Sequence, residues 1–138
     1  MRLEHSIDID APLDRVWGLT LDVESWPEHT PTMTSVQRLD TDEFDVGSKV
    51  RIKQPGQAAR VWTVSELQAE ERFAWSTRAM GTKMTATHEL RPAGSTTTNT
   101  LIVDIEGPLS GIVGRLVRRP ILSAIRTENE GFKTAAES

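Results

Sequence analysis

Residues 121–137 read ILSAIRTENEGFKTAAE, and the phase of this stretch decides the architecture. Ile121, Ile125, Glu128 and Phe132 recur at i, i+4, i+7 and i+11, so a helix here carries all four on one stripe. Arg126, Glu130, Lys133 and Glu137 gather on another side. The apolar stripe must bury against something. Glu128 interrupts it with a carboxyl group, which is costly in an apolar setting unless paired or solvated.

Working back from this helix, Leu109, Ile112, Val113, Leu116 and Val117 form a second helical arc, with Arg115, Arg118 and Arg119 opposite. Pro120 stands between the two arcs. It has no N–H and clashes with the preceding turn, so residues 108–118 are expected as a separate short helix or one arm of a kink.

Before residue 108 the signals are β. Candidate strands cover 34–40, 48–54, 60–68, 72–78, 83–91 and 97–106, separated by DTDEFDVG, QPGQ, QAEE, AMG and PAGS. Their short connections predict an antiparallel meander. The phase of strand 60–68 is open, because Val61 and Trp62 are adjacent and both apolar. At the N-terminus Leu3, His5, Ile7 and Ile9 alternate with polar residues as a half-buried strand. Pro12 then suits the first turn of a helix bearing Leu13, Val16, Trp17 and Thr20 on one face. Pro27 and Pro31 confine the segment DVESWPEHTPTM, residues 22–33, to a short helical turn and an irregular path. The order is one strand, short helices, about six strands and a long helix. The only large surface available to the final stripe is the concave face of the sheet. A bent sheet gripping one helix tends to leave a cavity, and such cavities take small molecules.

At 138 residues the chain fits one domain spanning 1–138. It has no cysteine, so disulfide frameworks and thiolate nucleophiles are excluded. A net charge of −4 with interspersed signs gives no reason to expect nucleic acid as partner. No apolar run is long enough to span a membrane, and the first residues carry no signal-peptide pattern, so a cytoplasmic location without stable membrane insertion is expected. Neither monomer nor homodimer is favoured.

Three blocks carry a resemblance. IDIDAPLDRVWGLTLDVESWPEHTPTMTSV at the start, VWTVSELQAEERFAWST in the middle and IEGPLSGIVGRLVRRPILSAIRTENEGFKTAAE at the end occur in the order of the START-like, or helix-grip (SRPBCC), superfamily. More narrowly the chain resembles its polyketide cyclase/dehydratase-like branch. The resemblance implies an α+β, Bet v 1-like fold: a curved seven-stranded antiparallel sheet around a long C-terminal helix, with a ligand tunnel between them. It implies binding of a hydrophobic small molecule of polyketide, lipid or isoprenoid type. Members that are enzymes make an aromatase/cyclase or dehydratase the alternative, and a non-enzymatic cochaperone-like interaction module is a third.

Within that frame the candidate cavity residues are His5, Trp17, Met33, Trp62, Trp75, Met84, His88, Ile125, Glu128 and Phe132. Glu128 reads either as a pocket acid with a raised pKa or as a side chain reaching solvent at the cavity mouth. His5 and His88 each share a face with apolar neighbours and read as acid–base candidates or as satisfied core histidines. Trp62 and Trp75 read as pocket walls or as ordinary core. His29 sits between two prolines in a turn with nothing placed to tune it, and ranks below Glu128, His5 and His88. The chain has three histidines, and they lie on separate elements without metal-ligand spacing, so neither metal nor cofactor is expected. Arg115, Arg118 and Arg119 read as a solvated helix face or as a contact for an anionic partner or membrane surface.

Overall fold

A computed structural model describes residues 1–79 and 81–138. The centre of the expected AMG turn, Met80, lies outside the described residues. The elements run β1 (Arg2–Ile9), α1 (Leu13–Leu21), a 3-10 turn (Val23–Ser25), α2 (Trp26–His29), β2 (Ser35–Arg38), β3 (Lys49–Lys53), β4 (Arg60–Gln68), β5 (Arg72–Ala79), β6 (Thr82–Ala93), β7 (Thr96–Glu106) and α3 (Ser110–Glu137). The strands form one seven-stranded sheet in the order β1-β7-β6-β5-β4-β3-β2, every pair antiparallel. This is the START-like helix-grip fold.

Two sequence-level ambiguities are resolved by packing. On β4, Trp62 faces inward and Val61 is 40% exposed. A register shift between Val64 and Glu66 bends that strand and helps the sheet curl. Pro120 does not divide the C-terminal helix: α3 is continuous from Ser110 to Glu137 with Pro120 inside it. A separate short helix is thereby excluded, whereas a bend at Pro120 is compatible with an unbroken helix. Pro120 and Leu116 both lie on the exposed side of α3, where water is at hand for a carbonyl that loses its i+4 donor.

The second half of α3 is pinned to the closing edge of the sheet by Asn129, which is wholly buried. Its amide nitrogen donates to the His5 carbonyl at 3.0 Å and to His5 Nδ1 at 2.8 Å. Its oxygen accepts from Asn99 Nδ2 at 2.7 Å. Both donor hydrogens and the acceptor are used, so a primary amide is tolerated inside the core. At the C-terminal end Arg15 from α1 donates to the carbonyls of Ala136 (2.5 Å), Ala135 (3.3 Å) and Ser138 (3.0 Å). These are carbonyls a helix end leaves without partners, and the guanidinium also opposes the negative end of the helix dipole.

Gly131 sets how closely α3 approaches α2. A Cβ at this position would sit 2.1 Å from the His29 carbonyl oxygen. Glycine in a helix interior normally costs about 1 kcal/mol relative to alanine. We therefore expect Gly131→Ala to invert the usual sign, destabilising the protein by about 1–3 kcal/mol through overpacking. Chemical denaturation measures this, and a stabilised variant would show that α2 can move away freely.

Candidate functional site

The core is not continuous. One buried cluster gathers Ile9, Val16, Trp26, Phe73, Trp75 and Phe132 with their neighbours; the other holds Leu101, Val103, Ile105 and Ile125. Between them, under α3, lies a cavity of about 100 Å³. Its walls draw on both clusters: Trp26, Met33, Trp62 and Trp75 from one side, Met84, Leu101, Val103 and Ile125 from the other. The polar groups in the wall include His88 on β6 and Glu128 on α3.

The fold thus brings Met33, Trp62, Trp75, Met84, His88, Ile125 and Glu128 to one cavity. Three other candidates lie elsewhere. His5 faces α3, but α3 lies directly over β1, so the imidazole meets Asn129 instead of open space. Because Asn129 donates, His5 Nδ1 accepts and the proton is assigned to Nε2. Trp17 packs α1 into the larger cluster. Phe132, one helical turn beyond Glu128, passes beneath Trp26, edge-on at 5.4 Å between centroids, and forms packed core rather than cavity wall. His29 is half-buried in α2, 3.5 Å from the Ser25 hydroxyl, away from this cavity.

Trp26 is the wall residue that the sequence hides best. It stands in DVESWPEHTPTM, where it reads as a corner-packing residue, yet it is fully buried at the centre of an aromatic cluster. Its ring contacts Phe73, Trp75, His88 and Phe132 at centroid distances of 6.4, 5.2, 4.9 and 5.4 Å. Its indole N–H donates to the Leu19 carbonyl at 3.2 Å, tying α2 to α1. Leu101 and Val103 share one face of β7 at period two, but Ile102 between them is also apolar and buried and blurs that alternation.

The two polar groups are shaped by the same dry surroundings with opposite consequences. Burial disfavours the charged form of each. Burial pushes the Glu128 carboxyl up to about 7, an effect partly offset by the Thr32 side chain. Burial pulls the His88 imidazole down to about 3. His88 Nδ1 is buried without a hydrogen-bond partner, and its ring lies against Trp26, Phe73 and Phe132. At neutral pH the cavity thus holds an uncharged imidazole and a carboxyl group poised between its two forms. A protonated Glu128 donates a hydrogen bond; an ionised one accepts. Among the described residues no group of His, Asp and Glu side chains is gathered as a metal site. Among them, too, no helix is long and apolar enough to cross a membrane.

The family described as polyketide cyclase/dehydrase and lipid transport matches residues 1–137. A Streptomyces halstedii protein named as a candidate polyketide cyclase is 34% identical over 79 residues, an alignment covering 55% of this chain and 69% of that protein. Among solved structures, a START superfamily protein from Mycobacterium smegmatis superposes with a TM-score of 0.77 at 15% identity, over 97% of both chains. The Zhui aromatase/cyclase from a Streptomyces species superposes with a TM-score of 0.75 at 18% identity, over 99% of this chain and 93% of that one. At such identities the structural likeness speaks to the fold alone.

The two titrations give stability a specific pH dependence. Glu128 is harder to ionise folded than unfolded, so it removes stability as pH rises from about 4.5 to about 7. His88 is harder to protonate folded, so it removes stability as pH falls from about 6.5 to about 3. From these groups alone, stability is level between about 4.5 and 6.5 and declines on either side. Glu128→Gln is expected to stabilise the protein above pH 7, by up to about 3 kcal/mol, with no gain below 4.5. Denaturation curves across pH measure the difference; a constant offset would mean that the carboxyl is hydrated in the folded state.

Proposed function

Since the chain belongs to the polyketide cyclase/dehydrase and lipid transport family, we propose that it binds a hydrophobic small molecule of polyketide, lipid or isoprenoid type in the cavity between the sheet and α3. The observation that carries this reading is the cavity itself, apolar over most of its wall, with Glu128 and His88 as polar groups in it. A few placed polar groups in an apolar enclosure orient a ligand while burial supplies the affinity.

The cavity is small. Its volume of about 100 Å³ lies below the roughly 300–1,000 Å³ common for ligand pockets. A ligand of more than one ring must therefore displace wall side chains. Met33 and Met84 suit this, being unbranched and readily repacked.

A second reading has its own support in Glu128. A carboxyl group that titrates near neutrality can hand a proton to a ligand carbonyl and recover it, the work of a general acid in cyclisation or dehydration. The neutral imidazole of His88 can hold a ligand hydroxyl or carbonyl without adding charge. In this reading the cavity folds a poly-β-ketone chain so that reacting carbons approach, and Glu128 moves the proton.

Binding can be followed through the fluorescence of Trp26, Trp62 and Trp75, all in the cavity wall. Titration with 2-naphthol, a neutral fused-ring probe, is expected to change their emission saturably. Ala86→Leu, which fills the cavity from β6, should weaken binding at least about tenfold while leaving the protein folded. An unchanged signal, or equal binding by the variant, would remove the cavity reading. Glu128→Gln separates the two roles. A loss of turnover of about 10²–10⁴ on a poly-β-ketone thioester, with binding retained, marks a general acid. Equal turnover leaves only binding.

A further inference from the structure

A second surface lies outside the cavity, on the first half of α3. Leu109, Ile112 and Leu116 are 46%, 66% and 74% exposed. With the exposed Pro120 they occupy one arc of the helix; the buried Val113 marks its inner margin, and the buried Gly114 lies on the far side. Isolated exposed aliphatics are ordinary, but this is a contiguous ridge on one element. Arg115 and Arg119 border the arc and Arg118 lies further round; all three are exposed. None of them forms an ion pair with an acidic group among the described residues.

The neighbouring turn adds to the charge. The side chain of Leu109 packs over Gly81, where a Cβ would lie 2.8 Å from Leu109 Cδ1. The end of the β5–β6 hairpin therefore sits beside the start of α3. That hairpin places Arg78 opposite Lys83, and Glu106 of β7 is the acid in register with Lys83. A chain of net charge −4 thus concentrates five basic side chains at one end. The combination of an aliphatic ridge and a border of free arginines is that of an interfacial helix.

We propose that this face docks on an anionic phospholipid surface. Leu109, Ile112 and Leu116 enter the headgroup–acyl boundary, and Arg115, Arg118 and Arg119 pair with phosphates. A second copy of the chain fits less well. A two-fold contact over this ridge would bring two sets of arginines together and supply no acid to meet them. A protein partner would need a groove for a convex ridge, whereas a lipid interface deforms around it. The proposal does not depend on what the cavity binds.

The test is co-sedimentation of the full chain with vesicles. Vesicles of phosphatidylglycerol in phosphatidylcholine should carry the protein down, pure phosphatidylcholine vesicles far less, and high salt should release it. Replacing Arg115, Arg118 and Arg119 by Gln should weaken binding about a hundredfold, at about a fivefold loss per arginine. Ile112→Ser with Leu116→Ser should weaken it at least about tenfold. All these positions are exposed, and circular dichroism checks that each variant keeps its fold. Failure to bind the anionic vesicles overturns the proposal, as does equal binding to both vesicle types or by either variant. So does a dimer in sedimentation velocity that Leu116→Ser dissociates, since a second copy would then cover the face.

Discussion

One helix has to cover a concave sheet wider than itself, and it is held along one margin. Asn129 ties α3 to His5 on β1 and Asn99 on β7, strands that lie side by side. Gly131 lets the same stretch press against the His29 carbonyl. Arg15 gathers the carbonyls at the helix end. With α3 fixed there, the sheet on the side of β4 and β5 must be covered by something else. Trp26 and its aromatic neighbours do part of that, and the remainder stays open as the cavity. Two clusters that packed into one would leave no site.

The same geometry explains the chemistry of the two polar groups. His88 and Glu128 are not close partners that tune one another. Each is displaced from its ordinary titration range by the dryness of a region enclosed by tryptophan, methionine and aliphatic side chains. Burial acts on the charged form whatever its sign, so it keeps the histidine neutral and makes the carboxyl hard to ionise. When Glu128 is protonated both groups are uncharged, and the cavity then suits a ligand whose polar atoms are carbonyls or hydroxyls.

Much of the frame was legible in residues. The period-two pattern of β1, the spacing of turn residues and the stripe of α3 marked the elements, and the order of three blocks implied the fold. The site was legible where a side chain's face follows from its own strand or helix, as for Met84, His88, Ile125 and Glu128. It failed where position depends on a second element. His5 points inward as its alternation predicts, but whether inward means cavity or helix depends on where α3 crosses β1. Phe132 shares the stripe of Glu128 and still misses the cavity, because Trp26 from a distant turn fills the space beside it. Trp26 carries no local sign of its role. Pro120 leaves α3 in one piece rather than starting a separate helix: the local rule was sound, but on an exposed turn of helix the lost hydrogen bond costs little.

The sequence by itself determined which residues form strands and helices, that the last helix carries a carboxyl on its apolar stripe, and that no thiol chemistry is available. These follow from periodicity and composition, which act within a few residues along the chain. Only the tertiary structure decided how large the opening under α3 is, which histidine faces it, and that Glu128 is dry enough to titrate near neutrality. Those properties depend on how far apart two packed layers come to rest. That separation is set by long-range contacts at Asn129, Gly131 and Trp26, and no short window of sequence contains them.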